Sequence, residues 1–317
     1  MRGCFWGIAF GRKEICLEQK NCFNLGLSKG PNKKLFRSLS MLERSMIRES
    51  KNPEQAIEES IQHAKDSLKM DVQDGRSWYN LGNAYMTSFF AYGSWDHRTL
   101  LQSLKAYQNA EKDERMKNIP DLYYNCATVN RYLENYERAL SGFEAAASMD
   151  PGLNADTEIQ KMLNLLNKID NLFMEIGEDK RLKSLPAPLS VLHLGFLYKR
   201  LNIDEVTTEG SKEVALVGKV ISFIKNDNEI PLYYMATDFS SSCFILTVYG
   251  VHSDAIKEDD LIAIIQPRFC NVNFRWKEKE YNFPSVRVDF TEQLLVNGQA
   301  ISSQHAIRSS VFAQLIP

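Results

Sequence analysis

The residues best equipped for chemistry lie in one stretch, RFCNVNFRWKEKEYNF, at positions 268–283. Arg268, Arg275, Lys277 and Lys279 alternate there with Phe269, Phe274, Trp276 and Tyr281. Cations attract phosphate and aromatic faces stack on bases, so the pattern could hold single-stranded nucleic acid. Glu278 and Glu280 dilute the charge, and the same alternation fits a solvated hairpin with its rings packed inward. A second basic cluster, Lys180, Arg181 and Lys183, could also meet phosphate. It reads as well as a charged helix end favoured by the helix dipole, and Glu178 and Asp179 weaken it as a phosphate site. No enzyme is expected. The chain has no G-x-x-x-x-G-K-S/T, no G-x-S-x-G and no H-E-x-x-H. Its five histidines are scattered, and His63 and His193 have apolar neighbours. Six cysteines show no C-x-x-C pairing and no histidine cluster beside them, so the expectation is a reduced, intracellular protein with no metal and no cofactor.

Composition sets the frame for these groups. A chain of 317 residues suggests about two domains, and 44% hydrophobic content can bury a core. A net charge near −2 predicts no general attraction to nucleic acid or to an anionic membrane, so any such site must be local. No apolar run approaches the ~20 residues of a membrane helix. The run from Cys4 to Phe10 is short and no A-x-A-like site follows it, so neither a membrane partner nor a signal peptide is expected.

The first half must position its groups on helices. Trp78, Leu81, Gly82 and Tyr85 stand at the spacing W-x2-L-G-x2-Y, the first-helix signature of a tetratricopeptide repeat of about 34 residues. Ser103, Tyr107 and Ala110 supply its second helix. In the next copy Tyr123, Cys126, Ala127 and Asn130 take the first-helix positions, Ala139, Phe143 and Ala146 the second, and Pro151 closes the unit. Upstream, Ser60, Ala64 and Ser67 fit a second helix whose first would span 35–49. Phe23, Gly26 and Pro31 look like the end of another unit, and residues 1–20 fit none, a divergent or unstructured start. Inserts at 88–100 and 116–119 stretch the period. Such units stack into a solenoid with a concave, peptide-binding groove. Groove-facing positions of the first helices include Arg76, Asn80 and Asn83, then Asp121, Asn125 and Arg131. Each asparagine amide can donate to and accept from a peptide backbone. Residues 156–176 form a capping helix, started by Asp156 or Thr157 and ended by Gly177.

Beyond it the period changes. The repeats are expected over 21–152, the cap over 153–177, a linker containing SLPAPLS over 178–212, and a β domain over 213–317. Strands are read at 214–224, 232–237, 243–249, 261–265 and 281–290, and Asn297-Gly298 is a turn signal. An early glycine, Gly218, and a long loop before the fifth strand suggest a small OB-fold-like β-barrel, with a small sandwich as the competing fold. The fold class is therefore α then β: a helical solenoid followed by that barrel.

The stretches DVQDGRSWYNLGNAY, QNAEKDERMKNIPDLYYNCAT, YERALSGFEAAASMDP and GKVISF…VYG…FPSVRV resemble the tetratricopeptide repeat protein five family, from about Asn32 to near Gln299. The resemblance implies repeats followed by an OB-fold domain, and two activities. One is tubulin autoregulation, in which the protein sits at the ribosome, grips the Met-Arg-Glu start of nascent tubulin and triggers decay of the tubulin message. The other is transcriptional coactivation in the stress response, as a scaffold for an acetyltransferase coactivator and an actin nucleator. It implies residence in both cytoplasm and nucleus. The family's peptide-binding arginine falls on Arg44, in SLSMLER, and its acidic partner on Asp121, after the proline of PDL; both are expected at the groove surface. A further family acid falls on Ala155, with Asp156 one step away. The ribosome-facing lysines match the region of Lys180, Arg181 and Lys183 but not their spacing.

Overall fold

Five of the helices begin where the sequence offers a side-chain cap or a proline. The computed structural model describes residues 3–47, 50–91, 96–178, 198–206, 213–227 and 230–306, and of residues 3–14, 176–178 and 303 the backbone alone. A first unit, up to Asp156, holds α1 (Gly3–Ser28), α2 (Lys33–Met46), α3 (Pro53–Met70), α4 (Gly75–Ala91), α5 (His97–Glu111), α6 (Pro120–Tyr132) and α7 (Tyr136–Met149). Asn32 caps α2 through Lys34 N at 2.9 Å, and Asp96 caps α5 through Arg98 N at 3.0 Å. Pro53 and Pro120 open α3 and α6, where no partner is needed for the missing N–H.

The helices pack as pairs, α2 with α3, α4 with α5 and α6 with α7. The small residues of the repeat signature explain how closely they approach. A Cβ on Gly82 would lie 2.4 Å from Tyr107 Cε1, so the ring sits directly on the α4 backbone. In the last pair Ala127, Ala139, Phe143 and Ala146 are fully buried, and Phe143 meets Tyr124 edge-on at 5.2 Å between centroids. Asp74 ties one pair to the next. It caps α4 through Ser77 N at 3.0 Å, pairs with Arg37 of α2, and lies 3.4 Å from Lys33. Burial pushes its carboxyl up, but the Ser77 hydroxyl, Arg37 and Lys33 outweigh that and hold it below the ordinary value. Of the residues read as a divergent start, 3–20 belong to α1, one helix that continues through Phe23 and Gly26 and packs on α2. Of the first insert, residues 92–95 lie outside the described residues, while the second begins in a 3-10 turn, Glu114–Met116, that buries Met116.

The second unit begins at Thr157 and so includes nearly all of α8 (Ala155–Glu178). This helix starts earlier than expected, with Asp156 and Thr157 in its first turn, because Asn154 makes the bend at φ 54. Gly177 lies inside the helix rather than after it. Phe173 stacks on Phe283 at 6.3 Å, and Lys168 Nζ donates to the Lys225 carbonyl at 2.7 Å, so the helix read as the solenoid's cap is fastened to the β unit. The stretch read as a linker contains β1 (Lys199–Leu201) and a 3-10 turn, Ile203–Glu205.

The sheet continues with β2 (Val214–Ile224), β3 (Leu232–Asp238), β4 (Cys243–Val248), β5 (Leu261–Ile265), β6 (Arg268–Trp276), β7 (Lys279–Val288), β8 (Leu294–Val296) and β9 (Gln299–Ala300). Its order is β6-β7-β4-β3-β2-β5-β8-β9, with β1 parallel on β2. Gly218 sits where β2 pairs with both β3 and β5, and a Cβ there would strike the Thr237 carbonyl at 2.7 Å. Leu216, Val220, Tyr234, Phe244, Leu246, Ile262, Val286 and Val288 fill one core. Among the described residues no pairing joins β6 to β9, so the expected barrel is an open sheet, and a single sheet rather than the two of a sandwich. The long loop expected before the fifth strand holds β6, which pairs with β7 as a hairpin.

Candidate functional site

Arg44 stands four residues after Ser40 on one face of α2, and the two side chains meet. Arg44 Nη1 donates to Ser40 Oγ at 2.8 Å and reaches Ser60 Oγ of α3 at 3.3 Å. Its Nη2 donates to Asn80 Oδ1 of α4 at 2.9 Å. Ser60 in turn donates to the Ser40 carbonyl at 2.9 Å. Arg44 is only 8% exposed, and among the described residues it has no carboxylate in ion-pair range. Burial pulls its guanidinium down to about 10, partly offset by Tyr107, Tyr79 and Glu43. Arg44 Nε and Asn80 Nδ2 are both buried without a hydrogen-bond partner. Arg44, expected at the groove surface, and Asn80 are largely buried, because Ser40, Ser60 and Asn80 close around the guanidinium.

The other two asparagines are used differently from the expectation. Asn83 and Asn125 are buried and bond to each other, Asn125 Nδ2 lying 3.2 Å from Asn83 Oδ1. Tyr107 Oη donates to Asn83 Oδ1 at 2.7 Å, and Asn125 Nδ2 donates to Tyr79 Oη at 3.0 Å. Burial raises the phenols of Tyr79 and Tyr107 above their ordinary range, so both stay protonated. This polar network joins α4, α5 and α6 and sets the shape beneath the site. Tyr107 and Ser60 are legible in the sequence only as second-helix packing positions, and the polar roles of these two, of Tyr79 and of Ser40 are not, although the i,i+4 spacing of Ser40 and Arg44 is a usable signal.

Asp121 lies in the first turn of α6, half-buried and without an ion pair among the described residues. Burial raises its carboxyl above the ordinary value, and Asp150 adds to the rise. Tyr79 feels the charges of both Asp121 and Arg44. Arg44 and Asp121 make no ion pair with each other. Arg76 is exposed, one helical turn before Asn80. Arg131 lies over the Phe143 ring at 5.4 Å, against its own repeat. Among the described residues no group of three or more His, Cys, Asp or Glu could hold a metal ion, and no helix is long and apolar enough to cross a membrane.

Lys180, Arg181 and Lys183 lie outside the described residues. The hairpin candidates are placed, and the inward-packed alternative fits them. Phe274 stacks on Tyr281 at 5.2 Å, and Tyr281 Oη donates to Asn167 of α8 at 3.0 Å. Arg275 is exposed opposite Glu280, Lys277 lies over Trp276 at 5.6 Å, and Lys279 pairs with Asp170 at 2.8 Å. The rings turned toward α8 offer no free stacking platform.

Residues 197–310 match the family model described as the tetratricopeptide repeat protein 5 OB fold domain. The chain is 31% identical over 325 residues to Tetratricopeptide repeat protein 5 of Mus musculus, covering 96% of this chain and 74% of the relative. The Homo sapiens protein of that name is 31% identical over 320 residues, covering 94% and 72%. Among solved structures, YrrB, a TPR protein with an unusual peptide-binding site, has a TM-score of 0.35 at 18% identity, covering 49% of this chain and 71% of that one. The Arabidopsis OM64 TPR domain has a TM-score of 0.30 at 12% identity, covering 40% and 96%. The fold assignment rests on the helix pairs and the family match, not on these two weak likenesses.

Proposed function

This chain belongs to the tetratricopeptide repeat protein 5 family, and from that footing we propose that its repeats grip an extended peptide with an arginine and a glutamate near its start. It is a repeat adaptor that binds protein. The peptide we assign is the Met-Arg-Glu start of nascent tubulin, met at the ribosome in the cytoplasm, with decay of the tubulin message as the outcome. No catalytic step is required of the adaptor itself.

The observation that carries this reading is Arg44. It is a largely buried cation that, among the described residues, has no carboxylate in ion-pair range. A peptide glutamate supplies the missing charge and acceptors. Asp121, also without an ion pair, supplies the carboxylate that the peptide's arginine needs. The nuclear role, as a scaffold for an acetyltransferase coactivator, is the alternative. Isothermal titration with Met-Arg-Glu-Ile and with Met-Gly-Gly-Ile decides the matter. Selective binding of the first is expected; equal binding or none removes the groove reading.

A further inference from the structure

We propose that β6 is a dimerisation edge, on which two copies of this chain pair β6 with β6, antiparallel about Val272, and join their sheets into one. β6 ends the sheet and pairs on one side only, with β7, from Arg268 opposite Arg287 to Trp276 opposite Lys279. Lys277 and Glu278 make the turn between the two strands. Residues that flank a two-residue turn face each other as a hydrogen-bonded pair, and such pairs alternate along an antiparallel ladder. Counting back from Trp276, every second residue therefore gives its N–H and C=O to β7. Phe269, Asn271, Asn273 and Arg275 turn theirs away from it. Among the described residues no main-chain bond reaches these outward groups.

An open row of N–H and C=O groups is a template for another strand, and native edges are usually blunted by brevity, a proline, a lysine or a bulge. β6 runs for nine residues without a proline, a lysine or a shift of register, and Asn271, Asn273 and Arg275 are exposed. Its own sequence supplies the match. Outward groups of one copy meet outward groups of the other only when a residue sits at the two-fold centre, and centring on Val272 pairs all nine residues. Asn271 then lies opposite Asn273 of the second copy, and each side-chain amide can donate to and accept from the other. Arg275 falls beside Phe269 of the second copy and Arg268 beside its Trp276, so each guanidinium meets a ring rather than a like charge. Two-fold symmetry repeats every contact. The area covered is that of one strand edge, so the dimer is weak.

Sedimentation equilibrium of the full chain tests this. The parent should show a monomer–dimer equilibrium with a Kd on the order of 10–100 µM, as an interface below standard size implies. Asn273→Pro removes an outward N–H and none of the bonds to β7, so it should weaken the dimer by roughly tenfold or more and leave the melting midpoint of dilute protein near the parent's. The register has its own test. N271K/N273K sets lysine opposite lysine at both sites and should weaken association by roughly fivefold, whereas N271D/N273K sets aspartate opposite lysine and should keep or tighten it. A parent that is monomeric at about 1 mM, or a dimer that N273P leaves unchanged, overturns the proposal. If N273P does not fold, the two asparagine double variants decide, and equal association in both overturns it.

Discussion

The ammonium of Lys279 lies 2.8 Å from the Asp170 carboxylate and donates to Asn167 Oδ1 at 2.7 Å. One cation of the hairpin is thus held by the helix beneath it, and the neighbouring rings face the same way. Ribosome association by the hairpin should therefore be weak. Replacing Lys180, Arg181 and Lys183 with Glu is expected to abolish co-sedimentation with ribosomes and to leave peptide binding intact. Phosphate contacts release counterions, so the parent's association should also weaken steeply with salt. Loss of co-sedimentation in the R275E/K277E/K279E protein, with retention in the other, would assign the contact to the hairpin instead.

Asp121→Asn should separate binding from stability. The carboxyl of Asp121 is raised by burial and by Asp150. A group raised in this way contributes stability below its unfolded value of about 3.9, and that contribution is lost as pH rises through the higher folded value. At neutral pH the ionised form therefore costs stability, and the amide removes that cost. The melting midpoint should rise slightly while peptide affinity falls by ~1.5–3 kcal/mol. A lower midpoint with unchanged affinity would mean that Asp121 is structural. Arg44→Ala should lower both quantities, because Arg44 also holds Ser40, Ser60 and Asn80.

Gly82→Ala tests the repeat frame. Its Cβ would meet Tyr107 Cε1 at 2.4 Å and Cδ1 at 2.6 Å, and Tyr107 is anchored through Asn83. The ring has to shift and strain that bond, so unfolding free energy should fall by ~1–3 kcal/mol. A chemical-denaturation midpoint equal to the parent's would contradict the packing described.

His63 gives the helical unit a pH dependence. Its Nδ1 lies 2.9 Å from Glu43 Oε2, and that bond raises the imidazole above its ordinary value despite burial. The stabilisation is fully present below the unfolded value of about 6.5 and is lost as pH rises through the folded one. His63→Gln should flatten the fall in melting midpoint between about pH 6 and pH 8. An identical pH profile in both proteins would exclude the pair as its source.

The helix pairs were legible because Gly82, Tyr107, Ala139, Phe143 and Ala146 are chosen by close packing, which leaves a spacing in the chain. The same spacing cannot separate the lining of a groove from the polar interior. Asn83 and Asn125 were read as groove amides and are buried partners of Tyr79 and Tyr107. In the β unit Asn297-Gly298 was legible as a turn, both residues having positive φ between β8 and β9. Over 268–283 a hairpin was legible as one of two readings but the position of its turn was not, since Lys277 takes φ 55 without any glycine to signal it. β1, β8 and β9 have too few residues to show a period.

The strap between α8 and the hairpin has a practical consequence for dissecting the gene. A fragment cut at residue 197, where the family match begins, would lack Asn167, Asp170 and Phe173. Phe283 and Tyr281 would lose the partners that cover them, and the fragment would expose a sticky aromatic ridge. A fragment meant to keep those contacts therefore starts near Thr157, forty residues upstream of the point where the OB fold domain match begins.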